Sequence, residues 1–230
     1  IVDGQNNHNW RATTLVLKST LEGCGLFTVD VSTSPGGRNL QGWNPEFSKY
    51  DVVVSNYNGT LWPENVRAAF LKYVKRGGGV VVVHAANNAF AGWKEYNDMM
   101  GGAFVGHPWH TEVPVRLLDD MHPLNKVFGG KGFTVRDEIY QFRDDTALPS
   151  DRRMLLSLDP KWNQLGKGSR KDGFYAVSWI SSYGKGRTFY CSLGHRNEIY
   201  YNPAVLEHYL AGFQYVLGDL MADDQPLEIK

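Results

Sequence analysis

Apolar residues occur along the chain in short runs separated by segments rich in glycine, proline and asparagine. The run VVVV at residues 80–83 is continuously apolar, which predicts a strand covered on both faces, as in a parallel sheet. Residues 50–56, YDVVVSN, predict a second buried strand, and residues 27–32, FTVDVS, alternate as a half-buried strand does. Because only Ile1 and Val2 precede the first polar segment, the first strand is expected to be short.

Between these strands the apolar positions recur at helical spacing. Residues 9–23 predict a first helix with Leu15 on its buried face and glycines at its end. A second helix is expected from Pro63, which suits a first helical turn, up to a run of three glycines. Its apolar stripe consists of Val66, Ala69, Phe70, Tyr73 and Val74. Residues 93–100 predict a short third helix, and residues 203–217 predict the last one.

The second half of the chain is richer in strands. Five segments predict strands, namely TEVPVRLL, FTVRDEIYQF, RMLLSL, FYAVSWIS and RTFYCSL, and YGKG at residues 183–186 joins the last two as a tight hairpin. The alternation of strand and helix in the first half favours a parallel sheet with right-handed crossovers. We therefore predict one α/β domain over residues 1–230, with a mostly parallel central sheet and additional antiparallel strands in the second half. The final DDQPLEIK is expected to be a tail or an edge segment.

The composition is that of an ordinary globular protein, with 42% hydrophobic residues in a chain of 230. Lysine plus arginine and aspartate plus glutamate both number 24, so the formal net charge is zero. Neither nucleic acid nor an anionic membrane is therefore expected as a partner. No apolar run approaches the roughly 20 residues of a membrane span. The sequence leaves a homo-oligomer open.

The two cysteines are expected to be free thiols, because Cys24 lies in a glycine-flanked turn and Cys191 lies in a strand-like run. The sequence begins at IVDGQ without a methionine, and we expect that an upstream segment was removed. The location of the protein is open between the cytoplasm and the periplasm or the exterior.

Histidines follow three of the predicted strands. His8 lies in DGQNNHNW after the first strand, His84 ends the valine run, and His195 follows the RTFYCSL strand. Because ligands of open parallel sheets bind at the carboxyl ends of the strands, these side chains are expected at one rim of the sheet. Imidazoles suit proton transfer since they titrate near neutral pH. Each of them alone would more often be a structural histidine bonded to a loop carbonyl.

Two further segments add titratable groups. GGAFVGHPWHTE contains His107 and His110, and Pro108 between them argues against a helix. The pair is therefore expected in a loop, where its spacing is only a weak signal for a metal. DEIYQF contains Glu138, a candidate base, acid or ligand, and Asp137, which would have no role if it were a lone surface acid. Neither a metal nor another cofactor is expected.

Two familiar chemistries lack their residues. A nucleophile elbow needs serine or cysteine at the turn after the central strand, but the turn is VHAAN, so an acyl-enzyme intermediate is not expected. The three glycines before the valine run precede a strand instead of a helix, and no G-x-x-x-x-G-K-[ST] motif is present. A phosphate-binding loop is therefore not predicted.

Aromatic residues make up 13% of the chain, and many lie near glycine, asparagine or histidine, as in GWNPEF, NYNGTLW and HPWH. Flat aromatic faces can bury the C–H faces of sugar rings. The alternative is that these side chains anchor long loops, and the sequence alone favours this alternative.

In their order along the chain, these segments resemble the trehalose-utilisation (ThuA-like) family. The resemblance runs from Asp3 to about Gly218 and rests on DGQNNHNW, GGGVVVVHAANNAF with Trp93 and Tyr96, GGAFVGH, the HPL of residues 122–124, DEIY and GKGRTFYCSLGH. It implies a class I glutamine-amidotransferase-like, flavodoxin-like fold, a three-layer sandwich. It also implies a role in carbohydrate use, with trehalose, related disaccharides, keto-sugars or their glycosides as candidate substrates. The amidotransferase cysteine is absent, so glutaminase activity is not expected.

The resemblance also places functional positions on this chain. The catalytic candidates are His84, His107, Glu138 and His195, with Glu138 and one histidine as the acid–base pair. The side chains expected to bind a small-molecule carbohydrate are Asn7, His8, Asn87, Trp93, His110 and Tyr140. These residues predict an enzyme that acts on a sugar, keto-sugar or glycoside. Two alternatives stay open, a metal-dependent hydrolase built on the histidines and a non-catalytic sugar-binding or interaction module.

Overall fold

The computed structural model describes residues 1–227, in which nine strands form one mixed sheet flanked by helices. The elements are β1 (Val2–Asp3), α1 (Trp10–Gly23), β2 (Ser32–Thr33), β3 (Val52–Ser55), α2 (Glu64–Lys75), β4 (Gly79–Val83), α3 (Lys94–Met100), β5 (Phe104–Leu117), β6 (Phe133–Phe142), β7 (Arg153–Leu158), β8 (Ala176–Tyr183), β9 (Gly186–Cys191) and α4 (Pro203–Leu217). The strand order is β2-β1-β3-β4-β9-β8-β7-β5-β6.

Strand β9 separates the two halves of this sheet, because it pairs in parallel with β4 and antiparallel with β8. On the β4 side all pairs are parallel, and on the β8 side all are antiparallel. The predicted α/β class, with a parallel first half and antiparallel additions in the second, is confirmed.

The valine run of β4 shows how the layers form. Val81 and Val83 belong to a core cluster that includes residues of α1 and α4, whereas Val80 and Val82 belong to a second cluster with residues of α2 and α3. Successive side chains of a strand point to opposite faces, so the sheet has a buried apolar face on each side. Two helices cover each face, which gives the expected three layers.

Most predicted elements form within two residues of their expected bounds, and local caps explain several of these bounds. The side chain of Asn9 caps α1 by accepting from the amide of Ala12. Asn202 caps α4 in the same way, and Pro203 occupies its first turn. Residues 183–186 form the predicted hairpin between β8 and β9.

Two expectations about the first part of the chain are wrong. Leu15 is 65% exposed, because the buried face of α1 is formed by Leu17 and Leu21 with neighbouring threonines, and residues two apart on a helix point away from each other. The predicted strand at 27–32 is reduced to the two residues of β2, because β2 lies at the sheet edge and pairs only with the two-residue β1.

The remaining expectations concern the cysteines, the tail and membrane spans. Cys24 and Cys191 are both free, as expected. Residues 223–227 of the DDQPLEIK segment contain neither helix nor strand, and its last three residues lie outside the described part of the chain. Among residues 1–227 no helix is both long enough and apolar enough to cross a bilayer.

Candidate functional site

The parallel strands bring three histidines to one rim of the sheet. His8 follows β1, His84 directly follows β4, and His195 follows β9, the neighbour of β4. A carboxylate joins them from the antiparallel half, because Glu138 lies in the middle of β6. Its side chain is only 5% exposed.

Four imidazoles surround this one carboxylate, and we call them, together with it, the Glu138 cluster. The Oε2 atom of Glu138 lies 3.5 Å from His8 Nε2, 3.4 Å from His84 Nε2 and 2.8 Å from His195 Nδ1. Its Oε1 atom lies 2.8 Å from His107 Nδ1. The carboxylate therefore has one oxygen directed at three buried or partly buried rings and the other at an exposed ring.

Strand β5 supplies His107 and His110, and the expectation that they lie in a loop is wrong. Register shifts in the pairing with β6 occur between Phe104 and Trp109, and such irregularities accommodate a proline within a sheet. Beyond the shifts, His110 pairs directly with Glu138, and its ring centroid lies 4.5 Å from that of His195. The strand thus brings both histidines to the cluster.

The backbone at His84 is in the left-handed region, with a φ of 43°. Non-glycine residues seldom adopt this conformation, which costs on the order of 1 kcal/mol or more and is concentrated at functional sites. Gly194 makes room for this turn, because a Cβ there would lie 3.1 Å from the His84 Cβ and 2.3 Å from the Tyr200 hydroxyl. The strand exit that carries a nucleophile in other α/β folds here directs an imidazole into the cluster.

Hydrogen bonds fix which ring nitrogen of two histidines carries the proton. His84 Nδ1 lies 2.5 Å from the carbonyl of Ser192, which can only accept, so the nitrogen donates. His8 Nδ1 lies 3.0 Å from the side-chain oxygen of Asn6 and donates to it in the same way. In the neutral form of each ring, Nε2 then has a lone pair that points into the cluster, and the two Nε2 atoms are 3.2 Å apart.

Asp137 is a fully buried carboxylate, which excludes the alternative of a lone surface acid. It accepts hydrogen bonds from the backbone amides of Gly194 at 2.7 Å and Arg196 at 2.9 Å. These bonds tie the loop that carries His195 to strand β6. Asp137 is therefore a positioning residue that acts through the backbone next to the cluster.

The electrostatics of the cluster favour an ionised Glu138. Burial by itself would raise the pKa of Glu138, but the neighbouring imidazoles of His8, His84 and His195, which interact with the carboxylate when they are protonated, hold it well below its usual range. Burial lowers the pKa of His195, although the charge of Glu138 acts in the opposite direction. Burial raises the pKa of Asp137 despite the amide hydrogen bonds that favour its charged form.

Two members of the cluster, His8 and His195, line an open cleft of about 380 Å³. Its other lining residues are Asn7, Asn9, His110 and residues 196–198, so Asn7 and His110 lie where a molecule bound in the cleft would contact them. The amide oxygen of Asn7 accepts a hydrogen bond from Asn58 at 3.1 Å.

Asn87 and Tyr140 are buried beside the cluster. The ring centroid of Tyr140 lies 4.4 Å from that of His84 and 4.5 Å from that of Phe104. Asn87 lines a second cavity of about 610 Å³, to which Phe104 also contributes. Both polar atoms of the Asn87 side chain are buried without a hydrogen-bond partner among the described residues, which is unusual for a buried amide.

Trp93 lies apart from these residues. It is 3% exposed, and its ring packs against those of Trp62, Phe90 and Tyr96 in the core. Tyr57 joins the same group. The aromatic side chains of NYNGTLW thus anchor loops to the core, which is the alternative that the sequence favoured.

Sequence reasoning missed three contributors to the cluster. The sequence motif indicates Asn7 as a binding residue and gives no role to its neighbour Asn6. The roles of Asp137 and Ser192 depend on long-range contacts. Only Asn6 had a local signal, because a side chain two residues before a histidine can reach its ring.

The donor atoms that could hold a metal ion do not belong to the predicted pair, His107 and His110, but to another set of residues. One donor atom each from His8, His84, Glu138 and His195 lies within 4.8 Å of all the others. His107 and His110, whose spacing gave the weak sequence signal, are not in this set.

Comparison with known proteins matches this fold and chain to one family. The profile of the family described as ThuA, trehalose utilisation, matches residues 1–216. None of the curated proteins compared with the chain matches it.

Two solved structures are similar over nearly the whole chain. A ThuA-like protein from Parabacteroides merdae is 30% identical, with a TM-score of 0.80 over 100% of this chain and 94% of that chain. A ThuA-like protein from Bacteroides uniformis is 21% identical, with a TM-score of 0.74 over 94% of this chain and 89% of that chain.

Proposed function

The chain belongs to the ThuA family, whose description as trehalose utilisation supports a role in carbohydrate utilisation, and on this premise we propose that the protein is an enzyme that moves protons on a sugar. The observation that carries the proposal is the convergence of four imidazoles on one buried carboxylate, with two of these imidazoles, His8 and His195, lining an open cleft. Groups that titrate near neutral pH and lie within hydrogen-bond reach of one another are the usual machinery of acid–base catalysis.

The histidines divide into two kinds by exposure. The side chains of His107 and His195 are 55% and 29% exposed, whereas those of His8 and His84 are 10% and 3% exposed. The exposed His107 and the partly exposed His195 are the rings that a sugar can reach, so they act as proton donor and acceptor. This division gives different tasks to histidines that the sequence grouped together.

Glu138 serves these imidazoles as a carboxylate. Its pKa is held well below the usual range, so it stays ionised at neutral pH and makes a poor general base. It lies 2.8 Å from both of these rings, one through each oxygen, and its charge stabilises their protonated forms. The acid–base pair expected from the sequence thus becomes two histidines held by Glu138.

This arrangement supplies a base and an acid that can act on the same substrate. Three classes of sugar reaction require such a pair, namely proton abstraction next to the carbonyl of a keto-sugar, isomerisation and glycosidic cleavage. A covalent acyl route has no support, since His84 occupies the elbow position and burial raises the pKa of the Cys191 thiol to about 12.

The cleft offers polar groups for sugar hydroxyls, because Asn7 and His110 line it. The cleft of about 380 Å³ and the separately lined cavity of about 610 Å³ are each within the size range of small-molecule sites. A sugar or a small glycoside is a ligand of this size.

The experiment is incubation of the protein with trehalose, related disaccharides and keto-sugars in D₂O, followed by mass spectrometry and NMR. The expected result is a new product, or deuterium at a carbon next to a carbonyl. The Glu138→Gln variant should lose this activity by about 100-fold or more, as loss of a group that supports proton transfer does.

The matched control is Glu112→Gln, which changes an exposed glutamate in β5. Equal activity of both variants and the unchanged protein would exclude the assignment of Glu138. Saturable sugar binding by calorimetry with neither product nor exchange would favour the non-catalytic sugar-binding module instead.

A further inference from the structure

We propose that His8, His84, Glu138 and His195 form a binding site for one divalent transition-metal ion, with Zn²⁺ as the ion whose preferred ligands and geometry fit best. This inference concerns binding and stands independently of the sugar chemistry proposed above. It replaces the sequence-based expectation that no metal is bound.

The spacing of three donor atoms is the first reason. His8 Nε2, His84 Nε2 and Glu138 Oε2 lie 3.2, 3.4 and 3.5 Å from one another. Ligand bonds of about 2.0–2.1 Å in a tetrahedron place neighbouring donors roughly 3.3–3.4 Å apart. The triangle therefore already has the dimensions of one face of a tetrahedral zinc site.

The direction of the lone pairs is the second reason. Because His84 Nδ1 donates to the Ser192 carbonyl and His8 Nδ1 donates to Asn6, both rings, when neutral, present Nε2 lone pairs to the cluster. Two lone pairs and a carboxylate oxygen that face one another repel unless a proton or a metal cation lies between them. A hydrogen bond from the distal ring nitrogen to a carbonyl or amide oxygen is also the arrangement found behind metal-ligating histidines.

A proton shared between His8 and His84 is the alternative to a metal ion, but it would leave one nitrogen of the cluster without a partner. That nitrogen is His195 Nδ1, which is buried without a hydrogen-bond partner among the described residues. That nitrogen lies 2.8 Å from Glu138 Oε2, yet the geometry does not make a hydrogen bond. A metal ion uses the lone pairs of all three rings at once.

The second oxygen of Glu138 defines how the carboxylate would bind. Oε1 lies 2.8 Å from His107 Nδ1, which leaves Oε2 as a single ligand atom. The donor set would then be three imidazole nitrogens and one carboxylate oxygen, which suits Zn²⁺ and also Co²⁺ or Ni²⁺ better than Mg²⁺ or Ca²⁺. His195, at the edge of the cleft, is the ligand that a substrate oxygen could replace.

An ion at this position would polarise an oxygen atom of a molecule bound in the cleft. Glu138 and His107 lie next to it, so the exposed ring remains able to accept a proton from that molecule. With the ion bound, His195 would serve as a ligand instead of exchanging protons, and His107 would remain the ring that accepts or donates a proton.

The test uses untagged protein treated with a chelator, dialysed and titrated with Zn²⁺ by calorimetry, with Co²⁺ absorption as a second probe. The expected result is one equivalent per chain. His8→Ala, a change in a loop, should weaken binding by more than the roughly 10–100-fold that the loss of an outer-shell partner costs. Zn²⁺ should raise the melting temperature of the unchanged protein and not that of His8→Ala.

Two variants serve as controls for non-specific binding. His110→Ala removes a neighbouring imidazole that is outside the donor set, and Glu112→Gln removes an exposed carboxylate of the same strand. Both should bind Zn²⁺ as the unchanged protein does. If His8→Ala binds as tightly as these controls, or if the unchanged protein takes up less than about one-tenth of an equivalent, the metal site is wrong.

The failure of this proposal is distinguishable from the failure of the proposed function. Turnover or deuterium exchange of a sugar by protein that takes up no metal would overturn the metal site and leave the enzyme proposal standing. Binding of one equivalent by protein that converts no sugar would support the metal site and count against the enzyme.

Discussion

The buried carboxylate of Asp137 accepts a 2.7 Å hydrogen bond from the backbone amide of Gly194. A second bond, from the amide of Arg196 at 2.9 Å, makes this side chain the anchor of the loop that carries His195. Asp137 and Glu138 are neighbours in β6 but have different roles. One fixes the position of an imidazole, and the other contacts it.

Asp137→Asn should lower the free energy of unfolding by about 2–3 kcal/mol, because one amide would lose its charged acceptor in a buried site. It should also lower sugar turnover, since His195 would no longer be held against Glu138. Chemical denaturation and turnover assays measure the two effects. Asp120→Asn, an exposed change, should leave the free energy of unfolding within about 0.5 kcal/mol, and equal effects of both changes would contradict the anchor role.

Gly194→Ala should destabilise the protein by about 2 kcal/mol or more through overpacking. The added Cβ would lie 2.3 Å from the Tyr200 hydroxyl and 3.1 Å from the His84 Cβ, and the φ of 152° is unfavourable for alanine. The melting temperature is the measurement. Gly166→Ala, where a Cβ meets nothing within 4 Å, is the matched control, and a similar loss in both would argue against the close approach.

The sequence predicts the parallel half of the fold and its histidines well, for a physical reason. A buried parallel strand is continuously apolar, so the valine run locates β4 and therefore His84 at its end. Because the carboxyl ends of parallel strands share one edge, His8 and His195 could be placed with it. These inferences need only local patterns and one rule of topology.

The rest of the site depends on pairing between distant segments. Glu138 reaches the cluster because β6 pairs with β5 across register shifts around Pro108, and no local pattern indicates such shifts. The burial of Asp137 likewise results from amides 57 and 59 residues further along the chain. Trp93 was expected at the site but lies in the core. The local sequence does not distinguish an aromatic residue that packs into the core from one that faces a sugar.

The two leucines of α1 offer a direct test of the corrected helix face. Leu17 is 2% exposed and Leu15 is 65% exposed. Leu17→Ala should cost about 2–5 kcal/mol of unfolding free energy through lost burial and the cavity left behind. Leu15→Ala should change the unfolding free energy by less than about 0.5 kcal/mol. Chemical denaturation of both variants measures the two losses, and a larger loss in Leu15→Ala than in Leu17→Ala would mean that Leu15 lies on the buried face.

His208 is fully buried in α4, away from the cluster. Its Nδ1 lies 2.8 Å from the carbonyl of Leu124, and its Nε2 lies 2.9 Å from the Ser178 hydroxyl. Burial lowers the pKa of His208 to about 4, although the carbonyl acts in the opposite direction. His122 is the titratable group that faces it, and the ring of Phe128 is an apolar neighbour.

Acid should therefore destabilise the protein through His208. In the unfolded chain this histidine binds a proton near pH 6.5, whereas in the folded chain it resists protonation until about pH 4. Its contribution is intact above about pH 6.5 and falls by up to about 3 kcal/mol as the pH drops towards 4. Denaturation as a function of pH should show a weaker acid dependence for His208→Gln, and parallel curves for both proteins would contradict this.

The last prediction separates two adjacent asparagines. Asn6 accepts from His8 Nδ1 at 3.0 Å and so fixes the ring with its Nε2 lone pair towards the cluster, whereas Asn7 accepts from Asn58 instead. Asn6→Ala should weaken Zn²⁺ binding by roughly 10–100-fold, the cost of losing an outer-shell partner of a metal ligand. Asn7→Ala should leave Zn²⁺ affinity unchanged, because its amide touches none of the proposed ligands. Calorimetric titration of both variants measures the difference, and a loss of affinity that is equal in the two would mean that the amide of Asn6 does not orient His8.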